Sequence, residues 1–205
     1  MRVRVSLVDV LAVLAVLLAT AACTVPNKLA PAPESSNTST EPGLGSNLGC
    51  QDAWSGNATT SPDAPKVSGV SSLAWLGSPP NYKWPITDST DGYPYTANGG
   101  TNYGAWKSPI SIDQGTGGRV LTIDSPSDAA IIVASATKWE SSQALRDGKL
   151  QLPDSYTVTA CTDRPTQFPG MTLVRGPACV VIRVTDPATG SSSTISVPMY
   201  GATCP

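Results

Sequence analysis

The chain has 205 residues, 21.1 kDa, with 40% hydrophobic and 14% charged residues, which is the size of one domain with tails. That apolar share is too high for a wholly disordered chain, and the charge is too low for a coiled coil. A formal net charge of −2 with no basic run excludes electrostatic binding to nucleic acid, and the absence of histidine excludes His-based catalytic triads and His-ligated metals. The 18 Gly and 19 Pro break long helices and favour short strands joined by turns.

The N-terminus reads as an export signal over residues 1–22. Arg2 and Arg4 precede ten apolar residues, Val10 to Ala19. That run is short of the roughly 20 residues a membrane-spanning helix needs. Leu18-Ala19-Thr20-Ala21-Ala22-Cys23 looks like a bacterial lipobox, with Thr20 where leucine is usual. Five cysteines, at 23, 50, 161, 179 and 204, leave one over. Giving Cys23 to a lipid anchor leaves four that can pair. The alternative is a plainly secreted chain with a spare thiol. The reading is an exported protein, lipid-anchored through Cys23 to the outer face of the cytoplasmic membrane or cell envelope.

Residues 23–47 are rich in Pro, Ser, Thr and Asn and lack aromatics. Such a stretch buries too little apolar surface to offset chain entropy, so a disordered tether is expected. Residues 48–205 are long enough to bury a core.

Within that domain, Val67 to Trp75 is a weak strand candidate, with Trp75 expected in the core. Seven of the twelve aromatic residues then fall between Trp75 and Trp106, in a stretch that reads as one long loop. Two readings stand open. In one, Trp84, Tyr93, Tyr95, Tyr103 and Trp106 form a ligand-binding face for a glycan or protein, since flat rings with polar edges beside Asn, Ser and Gly make adaptable recognition surfaces. In the other, the rings fold back and seal an open edge of the core. Asp88-Ser89-Thr90-Asp91-Gly92 reads as a solvated turn rather than a cation site, because two acids are few for Ca²⁺. Neither a metal nor a cofactor is expected.

Strand patterns follow at Ile110–Ile112, Val120–Ile123, Ala129–Ala134, Tyr156–Ala160, Val180–Val184 and Ile195–Met199. The run Ala129–Ala134 is continuously apolar, as in a strand covered on both faces. Pro198 marks the last pattern as an edge strand, and a turn or two of helix fits Glu140 to Asp147. The expected fold is all-β, a disulfide-stapled antiparallel β-sandwich of Ig-like form, with a small β-barrel as the alternative. On the alternating patterns Cys161 points outward at a strand's end and Cys179 outward at a strand's start. If those strands are antiparallel neighbours, Cys161 pairs with Cys179, and Cys50 with Cys204 staples the domain's ends. Four cysteines allow three connectivities, and geometry favours this one.

The C-terminal third, with Tyr156…Cys161, Phe168-Pro169-Gly170, Val174-Arg175-Gly176-Pro177-Ala178-Cys179 and a closing Gly201…Cys204-Pro205, resembles secreted or lipid-anchored actinobacterial proteins of unknown function. The resemblance implies an envelope location and a disulfide-bonded β domain. It implies no activity.

Enzyme chemistry finds few residues. Of three glutamates, Glu34 and Glu41 sit in the tether, and no phosphate loop or Gly-x-Ser-x-Gly occurs. The chain reads as a non-catalytic binding module that uses its aromatic stretch, with the membrane and a cell-wall glycan or envelope protein as partners. A structural accessory subunit docked on an envelope partner is the alternative, and a hydrolase comes a distant third.

Overall fold

The computed structural model describes residues 46–55, 63–87, 93–97, 100–107, 109–139, 147 and 149–205. The signal at 1–22, Cys23, nearly all of the tether, the Asp88–Gly92 turn and most of the Glu140–Asp147 helix lie outside them.

The fold is all-β and sandwich-like, in three open sheets. The first has the order β1 (Asn47–Leu48), β9 (Ser155–Thr159), β7 (Gly118–Ser125), β12 (Ala178–Thr185), β13 (Ser192–Met199). Its pairings are antiparallel except β1 with β9. The second has the order β10 (Thr166–Phe168), β6 (Ile110–Ile112), β3 (Val70–Ser71), β2 (Lys66–Val67). The third has the order β4 (Tyr93–Ala97), β5 (Thr101–Lys107), β11 (Gly170–Val174), β8 (Ala130–Val133). Among the described residues no sheet closes on itself, which removes the barrel alternative.

Alternation places the core. Val180, Ile182 and Val184 of β12 are buried while Arg183 between them is exposed, and Tyr156 and Val158 of β9 are likewise buried. These side chains share one core with Val70, Ile110, Ile112 and Phe168 of the second sheet and with Ile131, Val133 and Val174 of the third. Trp75 joins them at 2% exposure, as expected. Each such aliphatic side chain contributes about 1.5–3 kcal/mol on burial.

The third sheet is covered on both faces. Alternate residues, Ile132, Leu173, Tyr103 and Ala105, point to a second, smaller core with Leu150. The short helix α1 (Ala136–Trp139) supplies Trp139 to the same cluster. This explains the unbroken apolar run of β8.

The cysteines pair as Cys50–Cys161 and Cys179–Cys204, with Cα separations of 4.8 and 5.1 Å. The expected Cys161–Cys179 and Cys50–Cys204 bridges are therefore wrong, and topology gives the reason. β9 and β12 are not neighbours, because β7 lies between them and is antiparallel to both. β9 and β12 therefore run parallel, and the end of one and the start of the other sit at opposite ends of β7. At about 3.3 Å per residue that is roughly 23 Å, far beyond the ~7 Å Cα limit of a disulfide.

Candidate functional site

From Tyr93 onward the aromatic stretch is a hairpin rather than a loop. β4 and β5 pair in the register Pro94↔Gly104, Tyr95↔Tyr103 and Thr96↔Asn102. Pro94 argues against an interior strand, and β4 is indeed the edge of its sheet. β5 shows no hydrophobic alternation because Tyr103, Gly104 and Ala105 are all buried, two toward one core and one toward the other.

The predicted residues divide. Trp84, Tyr95 and Tyr103 line a cavity of about 280 Å³ together with Pro85, Ile86, Pro94, Thr96 and Asn102. Trp106 is half-buried and packs on the main core, edge-on to Tyr82 with ring centroids 4.9 Å apart. Tyr103 is buried at 8% exposure. The backbone of Tyr93 lies in β4 opposite Ala105, and its side chain lies outside the described residues. The described rings do not fan out as a broad face. One indole, Trp84, remains open to solvent at 36% exposure, at the mouth of a small cleft.

Trp84 is held from behind. Its ring meets Tyr200 in a T-shaped contact, with centroids 5.7 Å apart. Tyr200 is buried, donates its hydroxyl to the Ala105 carbonyl at 3.3 Å, and is fixed at its backbone N–H by Ser78 Oγ at 2.7 Å. Gly104 makes the approach possible. A Cβ there would lie 2.6 Å from Ile86 Cδ1 and 2.9 Å from both the Trp84 ring and the Tyr200 hydroxyl. Tyr200 was not singled out from the sequence. The available signal was an aromatic residue directly before Gly201, where the chain turns after β13 with positive φ at both positions.

The polar groups are few. Thr96 Oγ1 donates to Asn102 Oδ1 at 3.0 Å. The Tyr95 hydroxyl is enclosed without a hydrogen-bond partner among the described residues, and burial pushes its phenol up to about 12. Burial, with Tyr82 nearby, also pushes the Tyr200 phenol up. Among the described residues the lining of this cleft includes no carboxylate, lysine, arginine or cysteine.

A larger cavity of about 410 Å³ lies near Tyr103 and is bordered by Asp124, Asp128 and Asp154. The Asp124 carboxylate is engaged by Arg183 at 2.7 Å. Cys50, Cys161 and Asp163 bring potential metal-ligand atoms within 4.8 Å of one another, but the two sulfurs are bonded together. No protein-family model, curated protein or solved structure matches this chain.

Proposed function

We propose that this chain is an exported, lipid-anchored envelope protein whose β domain is a non-catalytic binding module, taking an uncharged ligand in the cleft beside Trp84. The observation that carries the reading is the solvent-open Trp84 indole, braced by Tyr200 over Gly104 at the mouth of a cleft lined, among the described residues, without charge. An aromatic ring held rigid in its bound orientation loses little entropy when a ligand covers it.

Anchoring through Cys23 is supported by cysteine parity. The other four cysteines pair among themselves, so the argument survives the changed connectivity. Two disulfides suit an oxidising compartment, and the resemblance to secreted actinobacterial proteins points the same way. The Ig-like form of the sandwich belongs to the same proposal, supported by a largely antiparallel five-stranded sheet that shares one core with two smaller sheets.

The second reading, a structural subunit docked on an envelope partner, is favoured by the inward packing of Tyr103, Trp106 and Tyr82. Two experiments test these readings. Cys23→Ser should release the protein into the medium, and membrane retention of the variant would overturn the anchor. The purified chain should co-sediment with insoluble cell-wall material, and Trp84→Ala should abolish this. Sedimentation unaffected by that change would remove the cleft from the function.

A further inference from the structure

We propose that the Trp84 cleft takes one neutral sugar ring, its C–H face on the indole and its hydroxyl edge on the Asn102 amide. This rests on the reading of the cleft as a binding site and names its ligand class. Four observations lead to it.

The first is size. At about 280 Å³ the cleft falls just under the ~300–1,000 Å³ of most small-molecule pockets, so it suits one ring rather than an extended ligand. The second is charge. Because the lining, among the described residues, carries no ionised side chain, an ionic group would lose hydration there without gaining a partner from them.

The third is the pairing of an apolar plane with a polar rim. Trp84 is partly open at the cleft, and the face of an indole is electron-rich and attracts weakly positive C–H groups, which a pyranose presents on one face. Beside it, Asn102 Oδ1 already accepts from Thr96, which orients the amide. Its Nδ2 meets no acceptor among the described residues and remains a donor for a ligand hydroxyl. A sugar has this combination of apolar face and hydroxyl rim.

The fourth concerns peptides, the other uncharged ligands with apolar and polar faces. β4 is a sheet edge, but Pro94 lacks the N–H that an added strand would need. A polyproline helix advances about 9 Å per turn and docks across several aromatic ridges. Among the described rings lining the cleft a single one is open, since Tyr103 is buried and the Tyr95 hydroxyl is enclosed.

The test is saturation-transfer NMR on the full chain with three kinds of probe: methyl glycosides of gluco, galacto and manno configuration, a methyl glucuronide, and a proline-rich decapeptide. Saturation should appear on the C–H face of at least one neutral glycoside, and more weakly on the glucuronide. Trp84→Ala should remove it, Trp84→Phe should retain part of it, and Asn102→Ala should weaken affinity by about tenfold. A single cooperative melt in each variant, lowered by no more than the few degrees that about 1 kcal/mol accounts for, shows that the fold is intact. Glycoside binding indifferent to Trp84→Ala, or tighter binding of the glucuronide, overturns the proposal. Trp84-dependent binding of the peptide alone overturns the sugar assignment and leaves the cleft as a binding site. If no probe meets Trp84, both readings fall.

Discussion

Gly104 and Trp84 lie against each other because Gly104 has no side chain: a Cβ at that position would sit 2.9 Å from the indole and closer still to Ile86. Gly104→Ala should push both side chains outward. Overpacking of this kind costs about 1–3 kcal/mol, toward the low end here because the tip of Ile86 can move. The expected result is a modest drop in melting temperature together with a shift in Trp84 fluorescence. A variant with unchanged emission would show that the indole does not depend on this contact.

Two tryptophans nine positions apart in sequence should behave oppositely. Trp75 is 2% exposed in the main core, and Trp75→Ala should cost about 3–5 kcal/mol. Trp84 is 36% exposed, and Trp84→Ala should cost about 1 kcal/mol, the value of its ring contact with Tyr200. Urea denaturation of both variants gives the comparison directly.

Peptide mapping without reduction should recover Cys50 linked to Cys161 and Cys179 linked to Cys204. The sequence separations are 111 and 25 residues. In the loop-entropy model these bridges contribute about 5 and 3.5 kcal/mol respectively. Replacing Cys50 and Cys161 together by Ser should therefore destabilise more than replacing Cys179 and Cys204, as read from denaturation midpoints.

Alkaline pH should unfold the protein through its buried phenols. Tyr95 stays protonated to about 12 in the folded chain, against an ordinary value near 10.0. Tyr156 and Tyr200 are shifted in the same direction by burial. Above the ordinary value the unfolded chain releases protons that the folded chain keeps, so stability falls as pH rises from about 10 to 12. Below that window these groups add no pH dependence. Tyr95→Phe should flatten the alkaline decline, and tyrosinate absorbance followed against pH should rise late.

Strands with one face in the core could be read directly: Val180, Ile182 and Val184 declare their side by alternating with Val181 and Arg183. β5 could not, since Tyr103 and Ala105 enter one core and Trp106 packs toward the other. Cysteine parity was legible from counting, but the partners were not. They depend on β7 entering between β9 and β12, a long-range arrangement that no local pattern encodes. The rings of the cleft stood out by composition. Which of them faces outward is decided by Tyr200 and Ser78, side chains brought from elsewhere in the chain.

The bond from the Tyr200 hydroxyl to the Ala105 carbonyl spans 95 residues. It also sets an order of assembly. During synthesis Trp84 and the β4–β5 hairpin emerge long before the residue that backs them. Trp84 must wait for β13 to dock and for the turn at Tyr200–Gly201 to form, and the Cys179–Cys204 bond closes just beyond that turn. A nascent or truncated chain can therefore own every described residue that lines the cleft and still lack a rigid one. On the proposed reading of the cleft, ligand engagement is in this way reserved for the finished fold.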